Sequence, residues 1–392
     1  MMAAVVVLTA GCSTSPWLAG PFTSKTASAS PTHSAQPKTA PKAAPNAPSE
    51  QDPIAGLSLQ QRVGQLFMVG TAATAAEPAT LSAVTDLHVG GIFLSGRSHT
   101  GTAATAAVVS SFTSLVGPAS TGNVPLLVAT DQEGGEVQVL NGPGFSAIPS
   151  ALVQGTMPVG TLTADAATWG GELRAAGVNM DLAPVADLVP SAAAAAHNPP
   201  IGGFDREYGY DPTTIEQHVT AFRAGMVSAG VTTVVKHFPG LGFVTQNTDT
   251  SAGVTDSVTT ADSASVGVYK NEIDGGASCV MVSSAVYSQI DPSAPAVFSP
   301  AVVGGLLRDK LGFDGVIMTD DLSAAAQVRQ WSPADRAIMA IQAGVDIVLV
   351  SAEPSDAAAM VAAVVSKAQT DPAFDALVND AARRVVELKA AT

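Results

Sequence analysis

Cysteine is nearly missing from the 392-residue chain: Cys12 and Cys279 are its only two. They stand in unlike settings, so they do not read as a disulfide framework. Cys279 lies in the apolar run Ala277-Ser278-Cys279-Val280-Met281-Val282 and reads as a small buried hydrophobe. Basic residues are scarce too. With 18 Lys and Arg against 33 Asp and Glu the formal charge is −15, which argues against nucleic acid or an anionic membrane surface as a partner, because both demand clustered cations. No apolar run reaches the roughly 18 residues needed to cross a bilayer. Gly-x-Gly-x-x-Gly is absent after every candidate strand, which argues against an open doubly wound sheet carrying a dinucleotide. What is plentiful is Ala and Val: 46% of residues are hydrophobic, enough to bury a sizeable core.

The N-terminal region has a separate logic. Leu8-Thr9-Ala10-Gly11-Cys12 follows the apolar stretch Ala3 to Leu8 and resembles the lipobox of bacterial lipoproteins. The resemblance implies a signal peptide over residues 1–11, cut before Cys12, and acylation of Cys12. No Lys or Arg precedes the apolar stretch, a departure from an ordinary signal peptide. From Ser13 to Asp52 the chain is Ser, Thr, Ala, Pro, Gln and Lys with almost no large apolar residue, a composition too poor in burial to offset its ordering entropy. Residues 12–52 are therefore expected to be a lipidated flexible tether, holding the protein outside the cytoplasm on the cell membrane. Residues 53–392 are expected to form one domain.

Within that domain short apolar runs alternate with segments of helical period. The runs read as strands are Gln65–Val69, Gly90–Leu94, Leu126–Thr130, Val178–Leu182, Thr232–Lys236, Ser278–Val282, Gly315–Met318 and Asp346–Val350; helical stretches include Thr163–Ala176, Thr213–Gly230 and Pro333–Gly344. Such a βα repeat predicts an α/β protein with a parallel sheet, and eight units in this length fit a (β/α)8 TIM barrel. Polar residues directly after the runs then become candidates for a site, since barrel sites gather at the C-terminal strand ends. Those residues are Asp131-Gln132-Glu133, Asp187, Lys236-His237 and Asp320-Asp321. Carboxylates with a few cations suit a neutral polyhydroxylated substrate, and glycosidic cleavage needs one group to protonate the leaving oxygen and another to attack the anomeric carbon.

Three motifs carry a family resemblance: Asp131-Gln132-Glu133-Gly134-Gly135, Lys236-His237-Phe238-Pro239-Gly240, and Gly312-Phe313-Asp314-Gly315-Val316-Ile317-Met318-Thr319-Asp320-Asp321-Leu322-Ser323. They resemble glycoside hydrolase family 3, most of all its single-domain bacterial β-N-acetylglucosaminidases, over nearly everything from Gln61 to Lys389. The resemblance implies the barrel, β-glycoside specificity, retention of configuration, no metal and no other cofactor. It makes Asp320 the nucleophile, with a helix cap as that residue's plain alternative, and it leaves Asp321 to capping. Lys236, His237, Asp131 and Arg206 correspond to groups that grip the sugar next to the cleavage point. Glu133 and Asp187 are expected to support them.

Departures from the family pattern fall on one loop. Leu241 stands where these enzymes usually have His, and Asn247-Thr248-Asp249 occupies the place of Asp-Ser-His, so an ungapped count puts Asp249 where the acid/base His would be. Glu136 also stands where the family often has Arg. The expectation is a monomeric, exo-acting, retaining β-N-acetylglucosaminidase with Asp320 and Asp249 as its catalytic pair, acting on a small carbohydrate such as a peptidoglycan-derived GlcNAc glycan. The alternatives weighed are another family 3 β-glycosidase (β-glucosidase or β-xylosidase), a phosphorylase, and a sugar-binding lipoprotein that has lost catalysis.

Overall fold

The structure, a computed structural model, describes residues 52–391. The expected leader, Cys12 and the tether up to residue 51 lie outside the described residues.

Each of the eight apolar runs overlaps a strand. They are β1 (Phe67–Ala72), β2 (Gly91–Ser95), β3 (Leu127–Thr130), β4 (Met180–Asp181), β5 (Thr232–Thr233) continued by β6 (Val235–Phe238), β7 (Cys279–Val282), β8 (Val316–Thr319) and β9 (Val348–Val350). Six of these pair in the order β9-β1-β2-β3-β4-β5, and three more in the order β8-β7-β6. Every one of those ladders is parallel, with Met68 opposite Gly91, Gly91 opposite Leu127, Ala129 opposite Met180 and Cys279 opposite Val316. The architecture is therefore α/β with parallel sheets, but the continuous eight-stranded ladder expected from the sequence is met only in part. One isolated parallel bridge, Met318 to Ile347, links β8 to the β9 segment, and another links Val185 to Lys236. The fourth run, expected over Val178–Leu182, is a strand only over Met180–Asp181; at its start the Asn179 side chain takes the Val128 N–H, a bond that a longer ladder would make through the backbone.

Helices separate the strands: α1 (Leu59–Gln65), α2 (Pro78–Asp86), α3 (Thr102–Thr113), α4 (Val159–Ala175), α5 (Pro212–Ser228), α6 (Ala264–Asp274), α7 (Pro333–Ala343), α8 (Ala357–Thr370) and α9 (Pro372–Ala390). Their ends are written locally. Ser58 and Gln61 form a reciprocal capping box on α1, while Asp211-Pro212, Ser332-Pro333 and Asp371-Pro372 each place an oxygen-bearing cap directly before a proline in the first turn. Gly344 ends α7 at φ +108°, a conformation that disfavours any residue with a Cβ.

Because both faces of a parallel strand are covered, the runs are apolar throughout rather than alternating. One face joins the large core beneath the helices. The other forms a separate inner cluster that includes Met68, Leu127, Met180, Val234, Met281, Met318 and Leu349. Val385 of α9 belongs to this inner cluster, and Leu388 packs on it. One turn further, Lys389 is buried and its Nζ donates to Gln65 Oε1 at 2.5 Å and to the Gly90 carbonyl at 2.7 Å.

Burial pushes the Lys389 ammonium down to about 7. Between that value and the ordinary 10.5, the unfolded chain holds a proton that the folded chain has lost, so this group makes the fold more stable as pH rises across that window. Lys389→Met should flatten that rise. Urea midpoints of the variant and the parent at pH 7 and pH 9 measure it; an unchanged difference between the two pH values counts against the assignment.

Candidate active site

A cavity of about 410 Å³ opens where the strands end, and Asp131, Arg206, Lys236, His237, Asp249 and Asp320 all line it. Asp131 directly follows β3, Lys236 and His237 lie in β6, and Asp320 directly follows β8. The structure thus brings together every candidate site residue of the folded region. Phe93, Leu182, Met281 and Leu349 supply apolar lining from β2, β7, β9 and the end of the fourth run.

One wall is a buried chain of charges. Arg206 donates Nε and Nη2 to the two oxygens of Glu133 at 2.8 and 2.7 Å. Lys236 Nζ meets Glu133 Oε1 at 2.6 Å and Asp131 Oδ1 at 2.7 Å. Burial alone would raise the Glu133 carboxyl, but the charges and hydrogen bonds of Arg206 and Lys236 outweigh it and hold that carboxyl at about 2. Lys236 is itself held above its usual range: burial opposes this, and Asp131 and Glu133 overcome it. The backbone that makes the arrangement possible is the Gly134-Gly135 turn. At φ +106° Gly134 is in a conformation that disfavours side chains, and a Cβ there would lie 2.2 Å from the Pro149 carbonyl.

His237 is oriented from behind. Its Nδ1 lies 2.8 Å from Asp187 Oδ2, and its own N–H donates to Asp187 Oδ1 at 3.1 Å. The same Oδ1 accepts from the Tyr269 hydroxyl and the Leu241 N–H. An ionised Asp187 only accepts, so Nδ1 carries the proton and Nε2 is left facing the cavity side, 3.4 Å from Arg206 Nη2. Asp187 and Glu133 therefore do what the sequence suggests, as supports rather than lining groups.

Asp320 and Asp321 divide sharply. Asp321 Oδ1 accepts from the Ser323 N–H and hydroxyl and from the Ser351 N–H, and Oδ2 accepts from the Ala324 N–H. It ties the loop after β8 to the end of β9. Among the described residues the Asp320 carboxylate accepts only its neighbour's N–H, at 2.8 Å.

The loop with Asp249 is fastened to the segment behind Asp320. Ala326 and Gln327 donate their N–H groups to the carbonyls of Asp249 and Thr248 at 3.1 and 3.0 Å. The Gln327 side chain closes a further pair of bonds with the backbone of Val254. At the loop's start Asn198 Nδ2 donates to the carbonyls of Leu241 and Val244. Asp249 is exposed at the lip of the cavity, yet burial of its carboxyl in the cleft pushes it up to about 6, with the negative charge of Asp320 adding to the rise and His237 and Arg206 opposing it.

Three residues of this region escape sequence reasoning. Arg97, just past β2, lines the cavity and obeys the strand-end logic, which could have found it. Phe204 lines the mouth and offers no chemical signal of that kind. Asp181, the last residue of β4, is fully buried; its Oδ1 accepts the Gln132 N–H at 3.0 Å and its Oδ2 has no partner among the described residues. Burial pushes this carboxyl up to about 8, so it is neutral at neutral pH.

Glu133→Gln should cost about 3–5 kcal/mol of folding stability at pH 7, because it strands two buried cations. With the folded carboxyl near 2 and an ordinary value of 4.5, the stabilisation is complete above the ordinary value and disappears as pH falls toward 2. Chemical unfolding at pH 7 and pH 3 checks both points; a loss below 1 kcal/mol at pH 7 would remove Glu133 as the keystone of this wall.

Comparison with known proteins agrees with this geometry. A β-hexosaminidase of Thioalkalivibrio sulfidiphilus is 37% identical over 241 residues, covering 59% of this chain and 67% of that protein. One of Nitrosomonas eutropha is 31% identical over 283 residues, 69% of this chain and 75% of that protein. Among solved structures, the β-N-acetylhexosaminidase of Beutenbergia cavernae superposes with a TM-score of 0.85 at 66% identity, covering 85% of this chain and 99% of that one. A family 3 β-N-acetylglucosaminidase from a Paenibacillus species gives 0.78 at 30% identity, 86% and 62%. Residues 58–388 match the glycosyl hydrolase family 3 N-terminal domain, and the chain belongs to that family.

Proposed function

We propose that the protein is a retaining exo-β-N-acetylglucosaminidase in which Asp320 is the nucleophile and Asp249 the acid/base. The observation that carries this reading is the pairing of a lightly bonded Asp320 with a proton-retaining Asp249 in one cavity of a family 3 scaffold. The names of similar proteins, a β-N-acetylhexosaminidase and a β-N-acetylglucosaminidase among them, support an N-acetylated amino sugar as the substrate.

Asp131, Lys236, His237 and Arg206 grip the hydroxyls of the terminal GlcNAc. Asp320 attacks the anomeric carbon as the glycosidic bond breaks, and protonated Asp249 delivers its proton to the departing oxygen. Asp249, now ionised, takes a proton from water; the water oxygen attacks the anomeric carbon, releases Asp320 and retains the β configuration. A carboxyl that titrates near 6 suits both halves, since it must give a proton in one and accept it in the other. In this reading the parallel strands form a closed (β/α)8 barrel, supported by the bridges between the two sheets and the inner apolar cluster. The substrates are peptidoglycan-derived glycans, met outside the cytoplasm by a monomer anchored through an acylated Cys12.

Asp320→Ala should cut hydrolysis of aryl β-GlcNAc by about a thousandfold or more. Asp249→Ala should slow substrates with poor leaving groups far more than activated aryl glycosides; equal slowing of both removes Asp249 as the proton donor. Because the acid must hold its proton, kcat/KM should fall as pH rises through about 6, and Asp249→Asn should lack that alkaline limb. Intact β-GlcNAc glycosides after prolonged incubation with the parent protein would falsify the enzymatic reading.

A further inference from the structure

We infer that Asn198 is a positioning residue of the reaction: its one buried side-chain amide sets the loop that carries Asp249 in register with the turn that carries Arg206. The inference rests on the assignment of Asp249 as acid/base and deepens it, by naming what holds the proton donor against the sugar-gripping wall.

Asn198 is buried, and every hydrogen-bonding capacity of its side chain is used. Nδ2 donates to the carbonyls of Leu241 and Val244 at 2.7 and 2.9 Å, and Oδ1 accepts the N–H groups of Ile201 and Gly202 at 3.1 and 3.0 Å. Two carbonyls on one side and two N–H groups on the other admit a single orientation of the amide. The main chain of Asn198 is held as well, since its N–H donates to the Ala195 carbonyl at 3.1 Å and its carbonyl accepts the Gly203 N–H at 2.9 Å. An interior amide bonded in this way has one position, and it passes that position to both segments.

Each segment leads to a group of the site. On the Oδ1 side the Ile201 carbonyl accepts the Arg206 N–H at 3.2 Å and the Pro200 carbonyl accepts from Arg206 Nη1 at 2.8 Å, so the turn that Asn198 shapes carries both the backbone and the guanidinium of Arg206. On the Nδ2 side Val244 lies five residues before Asp249. Asp187 and Tyr287 also hold this loop, but only at its first residues, through the Leu241 N–H and the Gly240 carbonyl. The bonds from Ala326 and Gln327 place Asp249 relative to the segment behind Asp320. They do not place it relative to the wall, and among the described residues the hydrogen bonds between the loop and the Arg206 turn are those of Asn198. A proton donor must meet the glycosidic oxygen of a sugar that the wall has placed, and a misplacement of about 1 Å at such a point costs up to about a hundredfold in rate.

Two variants separate the halves of the amide. Asn198→Asp keeps an oxygen for Ile201 and Gly202 and turns the donor half into an acceptor facing two carbonyls, which releases the loop and spares the turn. Asn198→Ala gives up both. The readout is kcat/KM on two aryl β-GlcNAc substrates: the 2,4-dinitrophenyl glycoside, whose phenolate departs without a proton, and the 4-methoxyphenyl glycoside, whose leaving oxygen requires one. Their ratio cancels the concentration of active enzyme, so a merely destabilised variant leaves it unmoved. In Asn198→Asp the ratio of methoxyphenyl to dinitrophenyl should fall about ten-fold or more, with the dinitrophenyl value within about three-fold of the parent. In Asn198→Ala the same fall should come with a loss of about ten-fold on the dinitrophenyl substrate, because Arg206 is released too. A ratio unchanged in whichever variant folds, while Asp249→Ala lowers it, overturns the role of Asn198 and leaves the acid/base assignment standing. A ratio unchanged in Asp249→Ala overturns the acid/base assignment, and this inference with it.

Discussion

Glu133 held between Arg206 and Lys236 is the interaction on which the site depends. Three ionised groups buried at this depth are costly unless each satisfies the others, and here a bidentate guanidinium and an ammonium share one carboxylate. The consequence reaches beyond stability. Pinning Lys236 to both Glu133 and Asp131 fixes the height of two substrate-gripping groups at once, and pinning Arg206 fixes the turn that ends in it. The Gly134-Gly135 turn is then a requirement, since a bulkier backbone would push Glu133 off its partners.

The opposite side of the cavity is built differently. Asp320 projects from the end of β8 with one local hydrogen bond, while the neighbouring Asp321 accepts four and holds the loop in place. Asp249 arrives on a loop fastened by backbone bonds to Ala326 and Gln327, so both carboxyls are referenced to the same stretch of chain. This shared anchor lets the charge of one shift the proton affinity of the other, which is the asymmetry that acid/base chemistry needs. The wall that grips sugar is rigid through buried charge, and the side that moves protons is rigid through main-chain bonding.

Much of the frame was legible in the residues. Each of the eight apolar runs overlaps a strand, and the helix starts agree within a few residues, because Asp-Pro and Ser-Pro caps and a covered parallel sheet leave strong local marks. Where the reading overreached, tertiary effects intervened. The fourth strand is cut to Met180–Asp181, and the ladder between β8 and β9 narrows to a single bridge. Phe204 was invisible because an apolar residue in a loop carries no chemical signature until the fold places it at a cavity mouth. Asp181 was invisible because it falls inside the expected run Val178–Leu182, whereas candidates were sought directly after the runs.

By itself the sequence determined the α/β order, the strand ends on which Asp131, Lys236, His237 and Asp320 sit, and the contrast between Asp320 and its capping neighbour. These follow from short-range periodicity and from side-chain types at fixed spacing. Only the tertiary structure decided that Arg206 and Lys236 share Glu133, that Asp187 orients His237, and that Asp249 shares a cavity with Asp320. The partners in those pairs are separated by 50 to 103 positions, and proton affinity depends on burial and neighbouring charge, which exist only once the chain has closed on itself.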